Sequence, residues 1–466
     1  MKGAAVKLVR YPEGREDPKL RAILGRGLEV PLEVEEAVRE VGRMVMEYGD
    51  RALVSLTEKY DGVRLSPEDI RMPEEKLRKA WEDADGELKE ALKDAAENIR
   101  RFHEHQKGTS WFVPDGDGVV LGKKVVPIRR VGVYVPKGLA SSLLMAAVPA
   151  QVAGVDQICV CTPPGSEVVY AAAYMLGLDE VYRAGGAQAV FAMAYGTESI
   201  PKVDKIVGPG NIYVTEAKRQ VYGTVGVDLP AGPSELVVVG DGTVPAGWAA
   251  ADIISQAEHG SGYEVAACLT PSEDWAKEVV REVERGMEVL PTAERARSAL
   301  ERHGLVVVTR TLEEALDLAE EIAPEHLELL VEDPWRWLDR LRSVGAIFLG
   351  PYSPEPVGDY FCGTNHILPT GGAARFASAL GVGDFLREVS LVAYSEERLR
   401  KVRDKIARLA EAEGMEAHKR AVLARDERAG LHKGFRPGHQ GLYVGEARLR
   451  GQAEPEREPL RPSRGA

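Results

Sequence analysis

Val131-Gly-Val-Tyr-Val135, Gln157-Ile-Cys-Val-Cys161, Glu180-Val-Tyr-Arg183 and Lys205-Ile-Val207 decide the fold. Each is a short β-branched or apolar run, and helix-length apolar segments, 143–155 and 167–176, separate the first three. Alternation of that kind means βαβ units, and so a parallel sheet with helices on its faces. A second alternating series follows Gly240: helix 246–258, strand 264–269, helix 275–289, strand 305–309, helix 312–322 and strand 346–349. The fold expected is therefore α/β, with two Rossmann-like parallel-sheet domains in tandem. Upstream, residues 30–107 place apolar side chains three and four apart among charges, which is the helical period. After Gly383 come two charged helical stretches, 395–411 and 417–428, with no strand to pack on locally. This helical tail is expected to dock elsewhere. From about residue 429 Gly, Pro, Arg and Glu dominate without periodicity, the composition of a disordered extension.

At 466 residues the chain is too long for one typical core. Its net charge of -13 argues against nucleic acid or an anionic membrane as the main partner, because both need a basic surface. The first ten residues lack the apolar core and cleavage site of a secretory signal. The most apolar stretch, 139–155, is short and holds Pro149 and Gln151, so it reads as a buried helix rather than a membrane span. Cys159, Cys161 and Cys268 sit in apolar runs and read as reduced core residues of a cytoplasmic protein.

Chemistry concentrates in four short polar clusters late in the chain. They are Gln256-Ala-Glu-His259, Pro324-Glu325-His326, Gly358-Asp359-Tyr with Gly363-Thr-Asn-His366, and Glu413-Gly-Met-Glu-Ala-His418. Four of nine histidines fall here, each within seven residues of a carboxylate. Buried His and Asp are costly unless paired or metal-bound, so one assembled metal-dependent site is the economical reading. Gln256 and His259, three apart near a helix end, can face one ion. Taken alone they fit a helix C-terminus equally well, with Gly260 as its cap. Pro324-Glu325-His326 reads as a helix start with Pro at the first position. A Glu and a His there suit general base work near neutral pH, although Glu also simply favours a helix N-terminus. Asp359 supplies a hard anionic oxygen in a glycine-punctuated loop.

Two glycine clusters, Gly185-Gly186-Ala-Gln188 and Gly208-Pro-Gly210-Asn211, each follow a strand and open a helix, where backbone amides reach phosphate. Neither matches the dinucleotide fingerprint or the Walker A sequence. The residues alone leave a nucleotide possible and unproven.

Together the motifs resemble the histidinol dehydrogenase family from about residue 20 to 428. The resemblance is carried, in order, by Val131-Gly-Val-Tyr134-Val-Pro, Gly208-Pro-Gly-Asn211 with Thr215-Glu-Ala-Lys-Arg, Ala231-Gly-Pro-Ser234-Glu and Ser255-Gln-Ala-Glu-His259-Gly. It continues through Ala323-Pro-Glu-His326-Leu, Gly363-Thr-Asn-His366-Ile-Leu-Pro-Thr and Glu413-Gly-Met-Glu-Ala-His418. It implies zinc on Gln256, His259, Asp359 and His418, and an acid/base pair of Glu325 and His326. It implies substrate contacts from Ser234, His366 and Glu413 beside these groups, and NAD contacts from Tyr134, Gln188 and Asn211. It implies an intertwined homodimer, in which Glu413 and His418 complete the other subunit's site. Boundaries that suit it are an N-terminal segment 1–22, a discontinuous catalytic and zinc domain of 23–130 and 237–380, and a NAD-contacting domain of 131–236. A tail of 381–428 and an extension of 429–466 follow. Lys137, in place of a usual glycine, and Cys362, in place of a small residue, depart from the family pattern.

The implied reaction turns L-histidinol, water and two NAD⁺ into L-histidine and two NADH through a retained aldehyde, the end of histidine biosynthesis. Two rival readings stand beside it. A dehydrogenase of the same scaffold could oxidise another hydroxy compound such as a sulfonated diol, but that should alter Ser234, His366 and Glu413. A zinc hydrolase would use the same ligands with Glu as base, and would leave both glycine clusters without a role.

Overall fold

The computed structural model describes residues 5–27, 30–229, 232–259 and 261–426. The chain forms two compact units. The larger ends at Val389 and omits Ser110–Lys124, which joins residues from Ser390 onward in the smaller. The proposed extension 429–466 lies outside the described residues.

Fourteen strands are numbered along the described chain: β1 (Lys7–Arg10), β2 (Trp111–Asp115), β3 (Val119–Pro127), β4 (Arg130–Tyr134), β5 (Gln157–Thr162), β6 (Val181–Arg183) and β7 (Lys205–Val207). Then come β8 (Gly226–Val227), β9 (Glu235–Gly240), β10 (Val265–Thr270), β11 (Gly304–Val308), β12 (His326–Leu330), β13 (Ala346–Leu349) and β14 (Leu386–Tyr394). The larger unit holds two parallel sheets, as the alternating pattern predicts. One has the order β6-β5-β4-β7-β8. Its strand order reverses between β4 and β7, which opens a crevice at their carboxyl ends. The other has the order β1-β11-β10-β9-β12-β13.

Both sheets are covered on both faces, which is why their strands read as continuous apolar runs. Along β9, Leu236 and Val238 enter one core with the helices Ala246–Ala257 and Glu273–Val289, while Val237 and Val239 enter a second with Leu312–Ile322. The helix Ala140–Ala153 is buried on nearly every side and has no polar face.

Three expectations need correction. Helices between residues 32 and 104, grouped above with 237–380, pack instead on helices of the five-stranded sheet. Leu32–Tyr48 lies on Gly186–Tyr195 and Ile212–Val221, and Gly86–Glu104 on Ala140–Ala153. The segment after Pro324 is strand β12, not a helix. The preceding helix ends at Ala323, a non-glycine residue in the left-handed region (φ 53°), and Leu327 and Leu329 alternate with His326 and Glu328. The tail, finally, has local strands. In the smaller unit β2 and β3 form a hairpin, and β14 lies beside β3 in a three-stranded sheet. Ser395 N–H donates to the Gly118 carbonyl at 2.8 Å just ahead of the helix Glu396–Ala412, whose Lys401 pairs with Asp117 at 3.2 Å; the helix Glu416–Leu423 follows.

Cys159, Cys161 and Cys268 are buried free thiols and Cys362 is exposed. Among the described residues no helix is long and apolar enough to cross a membrane.

His103, fully buried on Gly86–Glu104, donates from Nδ1 to the Ile99 carbonyl at 2.8 Å. Burial holds its imidazolium form below the ordinary value of 6.5. The unfolded chain therefore binds the proton more readily, and this contribution to stability is lost as pH falls through 6.5. His103→Gln should flatten the loss of melting temperature on acidification from neutrality; an unchanged slope would assign it to other groups.

Candidate active site

A cavity of about 270 Å³ lies between the two sheets of the larger unit. Pro136, Pro209, Gly210 and Asn211 reach it from the carboxyl ends of β4 and β7. Ser234, Glu325 and His326 reach it from the amino ends of β9 and β12. Asp359, His259 and His366 close its sides. A larger cavity, about 440 Å³, opens beside β13, but Cys362 is the only titratable residue lining it. The chemistry is in the smaller one.

Glu325 and His326 are held from β9. Glu235 N–H donates to Glu325 Oε2 at 2.9 Å, and Glu325 N–H donates back to Glu235 Oε2 at 3.2 Å. Glu235 is itself buried and gripped in bidentate fashion by Arg26, at 2.5 and 2.6 Å. Gly371 N–H also donates to it at 2.9 Å. His326 Nδ1 lies 3.0 Å from the Glu235 carbonyl oxygen. A carbonyl only accepts, so Nδ1 carries the proton and Nε2 keeps its lone pair. Burial pushes the imidazole down to about 4. Burial also pushes the Glu325 carboxyl well above the usual range, and the Glu235 and Asp359 carboxylates add to it. One environment thus gives a neutral base and a reluctant acid side by side.

The neighbouring histidines repeat the arrangement. His259 Nδ1 lies 3.0 Å from the Gln256 carbonyl, and His366 Nδ1 lies 2.9 Å from the Asp359 carbonyl. His259 therefore keeps Nε2 free as a metal ligand, 3.9 Å from Asp359 Oδ2. Asn365, buried, fixes the loop that carries His366 by donating to the Met145 carbonyl at 2.7 Å. Gln256 is fully buried, and neither polar atom of its side-chain amide has a partner. His259, Glu355 and Asp359 bring one ligand atom each within 4.8 Å of one another. Burial, with the Asp359 carboxylate beside it, pushes Glu355 up to about 10. One imidazole and two carboxylates gathered in one place, with an unpartnered amide three residues before the imidazole, fit a divalent cation.

The cofactor residues suggested by sequence split into two groups. Asn211 lines the cavity and caps the helix Ile212–Val221, accepting from Tyr213 and Val214 N–H at 3.1 and 3.2 Å. Tyr134 and Gln188 are buried away from it, beside Gly186, whose N–H donates to the Tyr134 hydroxyl at 3.1 Å. The Gly208 turn is locked by a buried ion pair the sequence reading missed. Lys218 Nζ bonds Asp228 at 2.6 Å and the Gly208 carbonyl, while Asp228 accepts from Gly208 N–H at 2.7 Å. Gly208 has φ +115°, and a Cβ there would stand 2.1 Å from the Tyr134 oxygen. The glycine is therefore required by the close approach of the backbone at the two strand ends. Glu413 and His418 belong to the smaller unit and are exposed there.

Arg26, Glu235, Glu355, Lys218 and Asp228 escaped the sequence reading as site residues. Glu235 and Lys218 stood inside quoted motifs; the others carried no local signal.

A family described as histidinol dehydrogenase matches residues 26–426. The chain belongs to the histidinol dehydrogenase family. It is 49% identical over 401 residues to the histidinol dehydrogenase of Bacillus cereus, covering 84% of this chain and 93% of that one. It is 47% identical over 422 residues to that of Aquifex aeolicus, covering 90% and 98%. The crystal structure of histidinol dehydrogenase from Elizabethkingia anophelis superposes with a TM-score of 0.84 at 34% identity, covering 91% of this chain and 99% of that one. The family suggested by the motifs is therefore the family found, and the chain is an oxidoreductase of this kind.

Removing one member of a buried pair leaves its partner uncompensated, at a cost of about 3–5 kcal/mol. Arg26→Met should lower the unfolding free energy by that order, and Arg26→Lys should restore only part of it. Denaturant unfolding checks this; wild-type stability in Arg26→Met would mean Glu235 is held without Arg26.

Proposed function

We propose that the protein oxidises L-histidinol to L-histidine through a retained aldehyde, with two NAD⁺ and one zinc ion per site. The observation that carries this reading is His326: neutral, with Nδ1 tied to a carbonyl and Nε2 turned to a cavity shared with Glu325. When bound, NAD⁺ accepts hydride and the cation orients the substrate's nitrogens, as a template would. Gln256, His259 and Asp359 would hold the cation, with His418 of a second copy. Tyr134, Gln188 and Asn211 would contact NAD⁺ on the five-stranded sheet.

The chain's own residues then divide the work. His326 Nε2 takes the proton of the substrate hydroxyl, and its fixed tautomer aims the lone pair without reorganisation. Burial favours the protonated form of Glu325 while the cavity is free of cations. A cationic substrate favours its carboxylate, so the base form arises with substrate in place. It then takes a proton from water to hydrate the aldehyde, and His326 serves again in the second oxidation. Ser234 and His366 hold the substrate, and the closed cavity excludes bulk water from the aldehyde.

Glu413 would bind substrate in a second copy's cavity. A homodimer is supported by the smaller unit, whose hairpin exposes Trp111, Phe112 and Val113 in succession and whose tail exposes Leu409 and Met415. The buried free thiols suit a reducing cytoplasm.

The test is NADH formation from L-histidinol and NAD⁺ by purified protein, before and after chelation and zinc restoration. Two NADH per histidinol, lost on chelation and recovered with zinc, are expected. No NADH from zinc-loaded protein would reject the substrate. His326→Asn and Glu325→Gln should each lower kcat about 10²–10⁴-fold with little change in zinc content. Zinc lost in parallel with activity would make these residues ligand supports instead.

A further inference from the structure

One buried acid takes no part in the scheme above. Glu355 opens the short helix Glu355–Tyr360, four residues before Asp359, so the two side chains share a helix face. It is 1% exposed, and its Oε1 is fully buried without a hydrogen-bond partner. Its ligand atom stands within 4.8 Å of those of both His259 and Asp359. Behind it, Glu355 N–H donates to Glu328 Oε1 at 2.6 Å, and Glu328 is buried on β12 with its other oxygen unpartnered. Among the described residues no Lys or Arg forms an ion pair with Glu355 or Glu328. Buried carboxylates without a counter-charge cost several kcal/mol. Glu235 and Asp228, by contrast, have Arg26 and Lys218 as counter-charges.

An independent feature points the same way. The Gln256 amide, three residues before His259 at the end of the helix Ala246–Ala257, is fully buried with both polar atoms unpartnered. Two buried oxygens without partners, on different helices, thus accompany one imidazole with a free Nε2: Glu355 in space and Gln256 three residues away in the chain.

We propose that Glu355 is a direct ligand of the divalent cation, so that Gln256, His259, Glu355 and Asp359 form a four-group set supplied by one subunit. This rests on the cation reading of the site and adds a member to it. Glu355 neutralises a second charge of the cation, which makes the site hold metal before substrate or a second copy contributes a group.

The test uses the full chain, stripped of metal, with zinc titrated against a chelator of known affinity and cobalt(II) followed by its visible absorption. Glu355→Gln keeps the size and an oxygen but removes the charge; Glu355→Ala removes both. Circular dichroism establishes that each variant is folded, and Glu355→Asp serves if either is not. Zinc affinity should fall at least about 100-fold in Gln and Ala, beyond what losing an outer hydrogen-bond partner costs. The cobalt absorption should change in position and intensity. A smaller loss with the wild-type cobalt spectrum would overturn the proposal and leave Glu355 as a buried acid only. Wild-type protein that binds neither metal would overturn the cation reading itself.

Discussion

Glu235 and Glu325 exchange backbone-to-side-chain hydrogen bonds across the amino ends of two neighbouring parallel strands, and the rest of the site depends on that exchange. Two carboxylates so close in a buried place repel, and Arg26 makes the arrangement tolerable by neutralising one of them. The other is left with a raised affinity for protons. The Glu235 carbonyl, turned by the same strand start, fixes the tautomer of His326. Register between β9 and β12 thereby becomes chemistry: a slip by one residue would send His326 to the opposite face of the sheet.

The position of the site follows from topology. In an open parallel sheet the crevice lies outside the carboxyl ends of the strands, where the order reverses. Here that crevice belongs to the five-stranded sheet, and the Gly208 turn held by Lys218 and Asp228 forms one of its walls. The six-stranded sheet presents the amino ends of its strands to the same space. The glycine turn of one sheet and the acid–base pair of the other can therefore face each other without sharing an element. Desolvation drives the imidazole and the Glu325 carboxyl apart in proton affinity, one toward a neutral base and the other toward a neutral acid.

The two parallel sheets were legible in the sequence because their strands are buried on both faces and read as unbroken apolar runs. The three-stranded sheet of β14, β3 and β2 was not. Trp111, Phe112 and Val113 are all exposed, so no alternation marks an inner face. Pro324 misled because a proline suits a helix start and a turn into a strand equally, and the polar pair after it interrupts the apolar run of β12. Gln256, His259, Asp359 and His366 were legible as rare polar clusters, and the structure brings His259, Asp359 and His366 around the cavity of Glu325 and His326. Arg26 and Glu355 were not legible, because each gains its meaning from a partner more than 80 residues away or from burial that no local pattern encodes.

The central claim is that His326 serves both oxidations while Glu325 serves the aldehyde stage alone. Single-turnover NADH formation by the Glu325→Gln variant, started from L-histidinol and separately from the aldehyde, tests it most directly. The account predicts a first hydride transfer near the wild-type rate and a second slowed by orders of magnitude, so that one NADH accumulates per site. Equal slowing of both stages would contradict it, and would make Glu325 a support for His326 rather than the base that activates water.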